Sequence, residues 1–469
     1  MKEQGETRSR VAVVMGTIRQ RMAGRSLLPG AKLPSIRKLA SALGVSPSTV
    51  VEAYERLVAE GAIHSRPGSG FYVASQAAPL ALSEIGPKVD RAVDPFWISR
   101  QSLETGDSIL KPGCGWLPPS WLPEDSIRKA LRSLARASGP VLADYGSPLG
   151  LPALRQLIAR RMAERGIECA PDQIMLTESG TQAMDLLFRF LLEPGDTVLV
   201  DDPCYFNFQA QLRAHRAKIV SVPYTSSGPD IGRFGEVLAV HRPRLYITNS
   251  AIHNPTGATL SSVTAHRVLK LADQFGLTIV EDDILADFEL VPAPRLAAFD
   301  GLDRVISIGS FSKTISASMR CGFVVARPGW IDGLIDLKIA SSFGGGRLNA
   351  ELVLTVLSDG GYRKHMEGLR GRLARAMFDV SARLKAIGIQ PWFIPPAGMF
   401  LWCRLPDGLD AAELARAAIT ENVVLAPGNV FSVSQTAAEF VRFNVSQTLD
   451  ERIFEVLRRS LKRARAVRA

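Results

Sequence analysis

From Leu110 onward, short runs rich in β-branched residues alternate with segments of helical period, and this alternation constrains the fold more than any other feature. Residues 174–177, 197–200, 218–222, 244–248, 278–281, 305–308 and 322–326 read as strands. Residues 150–165 and 262–275 read as helices crossing between them. Such a pattern predicts an α/β domain with a mostly parallel sheet, whose ligands collect beyond the carboxyl ends of the strands. At 469 residues the chain has room for two or three domains.

Polar residues gather at the predicted strand ends. The strand at Val305 runs into Ser310, Ser312 and Lys313, with Arg320 seven residues further on. An amine of this kind condenses with a carbonyl, and two hydroxyls with a guanidinium suit a phosphate. A solvated loop with a surface lysine has the same local look. Gly180 and Thr181 open a helix after the strand at Ile174, where free amides attract an anion and where a plain helix cap also fits. Tyr205 follows Asp202-Pro203, placed to stack on a flat ring or simply to pack. Asn254, in His253-Asn254-Pro255-Thr256-Gly257, can donate to a phenolate oxygen or serve an ordinary turn. Asp282 ends a very apolar strand; a pyridinium N–H would partner it if buried, and a helix-capping role competes.

The first 75 residues have a different character. They carry 11 Lys/Arg and 5 Asp/Glu, a balance of +6 out of +10 for the whole chain, which points to a polyanion. Val11 to Ala23 has helical spacing. Ser35 caps a short helix ending at Gly44, and Ser46-Pro47 opens another that ends at Gly61, with Val50, Tyr54, Leu57 and Val58 as its buried stripe. Residues 64–73 form two short strands around a glycine turn. Helix, turn, helix and hairpin predict a winged helix-turn-helix that grips duplex DNA. Ser35, Arg37, Lys38, Ser48, Thr49, Arg66 and Gly68 are positioned for phosphate contacts.

Between the two regions, residues 76–107 read as a linker, with Ser75 to Arg91 a tether and Phe96-Trp97-Ile98 docked on one of the domains. The five cysteines are scattered, with no CxxC, so neither zinc nor a disulfide framework is indicated. A polar N-terminus and the lack of a long apolar run lead us to expect a cytoplasmic protein without a membrane span. The basic run from Arg458 to Arg468 reads as the solvated face of a last helix.

The N-terminal stretch resembles the GntR family in Leu33-Pro34-Ser35-Ile36-Arg37-Lys38-Leu39-Ala40, Gly44-Val45-Ser46-Pro47-Ser48-Thr49-Val50 and Ser65-Arg66-Pro67-Gly68-Ser69-Gly70-Phe71-Tyr72-Val73. It departs from many relatives at Pro47, where they carry an arginine. Base reading then shifts to Ser48, Val51, Glu52 or the wing. From residue 110 onward, the ordered motifs resemble fold-type I pyridoxal phosphate enzymes of the aspartate aminotransferase class. By that resemblance Lys313 binds the cofactor aldehyde as a Schiff base, Asp282 pairs with the ring nitrogen, Asn254 bonds the ring hydroxyl and Tyr205 stacks on the ring. Gly180, Thr181, Ser310, Ser312 and Arg320 hold the phosphate, and Arg442 takes a substrate or effector carboxylate. Leu285 stands where relatives usually have a tyrosine, which removes one donor to the ring oxygen.

The fusion resembles the MocR subfamily of transcription regulators. That resemblance implies a winged helix over 1–75 and an aminotransferase-like domain over 108–469 with a smaller C-terminal subdomain. It also implies pyridoxal 5'-phosphate, a DNA operator, an amino acid or amine effector, and a homodimer in which one subunit's DNA-binding unit rests on its partner. An active aminotransferase carrying a vestigial DNA-binding domain is the alternative.

Overall fold

The computed structural model describes residues 9–23, 27, 30–66, 68–73, 103, 109–137 and 139–468. The predicted tether at 75–91 and the docking of Phe96-Trp97-Ile98 lie outside these residues. The chain divides into two compact units, residues 1–87 and 88–469.

In the smaller unit, α1 (Arg10–Ala23), α2 (Ile36–Leu43) and α3 (Pro47–Ala59) precede a hairpin of β1 (Ile63–Arg66) and β2 (Gly70–Val73). The helix boundaries follow local chemistry. The Ser35 hydroxyl accepts from the Lys38 amide, and Gly44 ends α2 in the left-handed region at φ 62°. The Ser46 hydroxyl accepts from the Thr49 amide and Pro47 occupies the first turn of α3. Each such cap stabilises by about 1 kcal/mol. Val14, Ile18, Leu39, Val50, Tyr54, Leu57 and Ile63 form one core.

Val58 corrects the predicted stripe: it is 37% exposed. The buried positions of α3 are Val50, Ala53, Tyr54 and Leu57. At about 100° per residue, Val58 falls roughly 80° from Val50, on the edge of the apolar face. The hairpin also gains a flanking segment, residues 31–33, which the sequence pattern did not mark as a strand. Lys32 pairs opposite Tyr72, the Leu33 amide donates to the Phe71 carbonyl, and the Val73 amide donates to the Ala31 carbonyl.

The larger unit holds an eight-stranded sheet in the order β3-β10-β9-β8-β7-β4-β5-β6. Its strands are β3 (Ile174–Thr177), β4 (Thr197–Asp202), β5 (Lys218–Thr225), β6 (Gly228–Pro229), β7 (Leu245–Thr248), β8 (Thr278–Asp282), β9 (Val305–Ser310) and β10 (Gly322–Val325). All seven predicted strands are present. β4, β5, β7, β8 and β9 run parallel, while β10 is antiparallel to both β3 and β9. Among the helices, α4 (Pro152–Ala163), α5 (Gly180–Leu191) and α6 (Ser262–Phe275) cross between strands. Their apolar faces join two layers of core, such as Leu154, Ile158 and Val268 in one and Ala183, Leu187 and Phe188 in the other.

A 27-residue helix, α7 (Gly360–Ala386), leads to a four-stranded antiparallel sheet in the order β11-β12-β14-β13. Its strands are β11 (Gln390–Pro391), β12 (Phe400–Arg404), β13 (Ala426–Pro427) and β14 (Phe440–Asn444). The last helix, α8 (Glu451–Arg468), buries Ile453, Phe454, Leu457 and Leu461. Its outer face carries Arg459 paired with Glu421, in keeping with the expected solvated face. Among the described residues no helix is long and apolar enough to cross a membrane.

Gly322 lets β10 approach the start of α5. A Cβ there would sit 2.7 Å from the Ser179 carbonyl carbon and 2.8 Å from the Gly180 nitrogen, both main-chain atoms. Gly322→Ala is therefore expected to destabilise the protein by about 1–3 kcal/mol in urea unfolding. Gly235→Ala, whose nearest neighbour would be Leu271 at 4.0 Å, is expected to be neutral or stabilising by up to about 1 kcal/mol because it replaces a helical glycine.

Candidate functional site

β8 and β9 are parallel neighbours, with Asp282 opposite Ile308. The carboxylate of one strand end and the amine just past the other are therefore brought to the same edge. Asp282 is buried; its Oδ1 accepts from the Ile284 amide at 3.1 Å, and the Asn249 side chain donates to its main-chain oxygen at 3.0 Å. Among the described residues no cation forms an ion pair with it. Burial lifts its carboxyl to about 7, well above an ordinary aspartate. Glu281, fully buried behind it, is likewise raised to about 7 by burial, and its oxygens accept from Ser250 and from the Leu296 and Ala297 amides.

Lys313 is half-buried, and its Nζ donates to the Gly115 carbonyl at 2.8 Å. Burial, with a smaller contribution from Arg442, pushes its ammonium down to about 8. Arg442, on β14, is 2% exposed. Its Nη1 donates to Asn254 Oδ1 and its Nη2 to the Gly113 carbonyl, each at 2.8 Å. The guanidinium packs against Phe400 and Phe431 at 4.3 and 4.7 Å from the ring centroids. Its Nε has no hydrogen-bond partner among the described residues. A methyl placed on Gly115 would lie 3.9 Å from both Lys313 Nζ and Arg442 Nη2. The two cations thus flank one short glycine segment.

Asn254 gives its oxygen to Arg442, which leaves its NH₂ as the group able to donate elsewhere. Its neighbour His253 is fully buried, bonded through Nδ1 to Thr256 Oγ1 at 2.8 Å and stacked on Tyr224 at 3.7 Å, and so anchors the turn. Tyr205 is half-buried beside Phe206 and Phe208, within electrostatic reach of Arg442 and Asp282. Gly180 begins α5, close to the Ser310 Cβ. Ser310 Oγ donates to Ser312 Oγ at 3.0 Å and lies 3.2 Å from the Cys321 carbonyl. Thr181 is exposed on the first turn of the same helix. Arg320 is exposed, adopts φ 42°, and borders a cavity of about 190 Å³ with Thr177, Glu178 and Lys338. Leu285 is 4% exposed and joins the core, so it presents no polar group to the site.

Several contributors went unnoticed in the sequence. The Gly113 and Gly115 carbonyls hold Arg442 and Lys313, and Asn444 ties this segment down through the Cys114 and Trp116 carbonyls at 3.2 and 2.8 Å. Gly113 was a usable signal: a Cβ there would meet Ala426 N at 2.5 Å. Asn249 offered none, because its role depends on the pairing of β7 with β8.

In the smaller unit, Arg37, Lys38, Ser48 and Arg66 are all exposed, and Gly68 turns the hairpin at φ 71°. Arg66 packs on the Tyr72 ring at 4.7 Å, with Lys32 6.0 Å away on the same residue. The Ser35 hydroxyl caps α2, and Ser46 engages both Ser48 and Thr49 hydroxyls at 2.8 Å. Glu52 is paired with Arg56.

Comparison with known proteins matches both regions. The family described as aminotransferase class I and II matches residues 120–459, and the gntR family of bacterial regulatory proteins matches residues 11–73. The chain is 31% identical to the uncharacterized HTH-type transcriptional regulator YdcR of Escherichia coli, over 93% of this chain and 94% of that protein. It is 27% identical to the HTH-type transcriptional regulator NorG of Staphylococcus aureus, over 85% and 92%. The crystal structure of the α-aminoadipate aminotransferase LysN of Thermus thermophilus, complexed with N-(5'-phosphopyridoxyl)-L-leucine, superimposes with a TM-score of 0.72 and 29% identity. That match covers 83% of this chain and 100% of LysN. With an aminotransferase region over most of its length and a gntR region before it, the chain belongs to the MocR-type group of GntR regulators that carry an aminotransferase class I and II domain.

Proposed function

We propose that the protein is a transcription regulator whose DNA-binding is governed by pyridoxal 5'-phosphate and an amine at the Lys313 site. Residues 1–75 grip the duplex, 76–107 link, and 108–469 hold the cofactor. The observation that carries the reading is Asp282, a buried carboxyl with no cationic partner among the described residues, on the same edge as the half-buried Lys313, whose amine has lowered basicity. The cofactor fits this arrangement: a protonated ring nitrogen satisfies Asp282, and an anionic phosphate suits the start of α5, Ser310, Ser312 and Arg320. Bound there, pyridoxal 5'-phosphate supplies an aldehyde for amines and an electron-withdrawing ring.

The side chains divide the remaining work. Lys313 offers the amine. Asp282 keeps the ring nitrogen protonated. Asn254 donates its NH₂ to the ring oxygen, the more needed because Leu285 offers nothing there. Tyr205 covers the ring. Arg442, dry and held by Asn254 and Gly113, receives a carboxylate with bidentate geometry. With the cofactor held there, an effector amine or amino acid would compete with Lys313 for the aldehyde. It acts on DNA only through unequal affinity for two arrangements of the protein.

A second copy of the chain supports this scheme. Tyr145 and Phe343 are 79% and 64% exposed with their rings 5.1 Å apart, an apolar pair suited to burial in a homodimer. A duplex DNA partner puts the protein in the cytoplasm. The rival reading, an active transaminase, draws on the same Lys313 and Arg442. The regulator reading fails if purified protein binds no duplex from its own upstream region yet turns over an amino acid and a keto acid at about 1 per second or faster.

Two outcomes test the residues. Neutral Lys313 is the reactive form, and at pH 7 roughly a tenth of the groups are neutral, against about one in three thousand for a free lysine. The rate of adduct formation with pyridoxal 5'-phosphate, followed by absorbance, is expected to climb with pH and level off above about 8. Arg442→Met removes a neighbouring positive charge and moves that break upward, and Lys313→Ala abolishes the adduct. For DNA, Arg66→Ala is expected to weaken binding across sequences and reduce the slope of log affinity against log salt by about 1, measured by fluorescence anisotropy.

A further inference from the structure

Lys338 is a buried amine that the Lys313 site does not use. It lies on the helix Pro328–Ser342 and is 1% exposed. Its Nζ donates to the Pro148 carbonyl at 2.6 Å. Among the described residues the ammonium makes no other hydrogen bond and no carboxylate forms an ion pair with it; Glu178, itself exposed, acts on it only at longer range. An ammonium has three donors and a full charge. One main-chain carbonyl leaves two donors unused and the charge unmatched. Were that contact all the residue supplied, a neutral amide donor would supply it without the cost of burying charge. Burial lowers this amine to about 8, as it does Lys313.

The amine lies against a cavity of about 190 Å³. Gly345 lines this cavity, and a Cβ on it would stand 3.4 Å from Lys338 Nζ. A Cβ on Gly344 would come 2.8 Å from the Gly146 carbonyl oxygen, so the segments after Phe343 and after Tyr145 meet main chain to main chain. Leu151, Leu176 and Ala350 give the cavity apolar walls. Arg320 stands on its border, exposed, with no hydrogen bond or ion pair among the described residues. Arg347, also on the lining, lies 3.8 Å from Glu351. Gly180, Ser310, Ser312 and Lys313 do not line this cavity, so it is a space apart from the amine site, with Arg320 as the shared wall.

Unmatched positive charge beside apolar walls selects the ligand. A phosphate dianion loses much of its hydration against leucine side chains, and Glu178 on the lining repels its second charge. A carboxylate with a short apolar body meets the ammonium with one end and the leucines with the other. We infer that this cavity is a second ligand site, for a small carboxylate with an apolar body, which pairs with Lys338 and packs on Leu151 and Leu176. The inference goes beyond the cofactor reading and does not rest on it, since the site needs neither pyridoxal 5'-phosphate nor Lys313.

The test is calorimetric titration of 3-methylbutanoate into the full chain without pyridoxal 5'-phosphate. Wild type is expected to bind one equivalent with a Kd of about 1 mM or tighter. Lys338→Met keeps the length of the side chain and removes its charge, and weakens binding by about tenfold or more. Ala350→Leu leaves the amine in place and takes up space, and weakens binding by about the same factor. Arg442→Met, which removes the guanidinium proposed for the effector carboxylate, changes the Kd by less than about twofold. Should Lys338→Met fail to fold, Ala350→Leu decides. Binding that survives either substitution in the cavity, or that is lost in Arg442→Met, overturns the inference. So does a wild-type protein that takes up no probe, as when a second copy closes the cavity, and so does inorganic phosphate binding as tightly as the carboxylate. Failure of borohydride to trap pyridoxal 5'-phosphate on Lys313 sinks the cofactor reading and leaves this site standing.

Discussion

The structure depends on removing two ionisable groups from water at the ends of adjacent parallel strands. Asp282 and Lys313 reach the same edge because β8 and β9 run together in register. Burial acts on them in opposite senses, raising the acid to about 7 and lowering the amine to about 8. Each shift makes the charged form less favourable, so both groups gain from a ligand that brings the missing charge or consumes the amine. A free lysine and a free aspartate, both exposed, would have no such need. Reactivity here follows from the pairing of two strands and from the apolar runs Ile279-Val280 and Val305-Ile306 that bury them.

Much of this was legible beforehand because strand runs in a parallel sheet are apolar on both faces. The runs from Ile174 to Gly322 announce themselves without reference to neighbours. Direction does not. Gly322-Phe323-Val324-Val325 reads the same whichever way it runs, and only the structure shows β10 antiparallel between β3 and β9. The site was legible where a side chain at a strand end does the work, as with Lys313, Asp282 and Asn254. It was opaque where the main chain does it. The Gly113 and Gly115 carbonyls carry no residue-type signature, and Asn249 acts through a strand 33 residues later in the chain. In the smaller unit, Ala31–Leu33 gave no strand signal, because three residues are too few to show a period of two.

The two units solve the problem of binding an anion differently. In the DNA-binding unit the cations are exposed and the hydroxyls are partly committed to capping, so affinity comes from charge in water and is screened by salt. Pro47 fits this division. As the first residue of α3 it stabilises the helix start and carries no side-chain hydrogen-bond donor. In the larger unit Arg442 is dry, flanked by two aromatic rings and fixed by two hydrogen bonds. A carboxylate bound there, as proposed, would meet it at low dielectric, where charge and geometry both discriminate.

The turn that follows Asp282 is held by a buried layer of ion pairs. Arg161, Arg165 and Arg295 are matched by Asp283, Asp287 and Glu289, and stripping one partner from such a pair costs about 3–5 kcal/mol. The layer therefore resists gradual deformation, since sliding by a fraction of a bond leaves charge unpaired on both sides. At its margin the Tyr362 phenol makes a neutral contact, donating to Asp287, and exchanging one such hydrogen-bond partner for another costs about 1 kcal/mol.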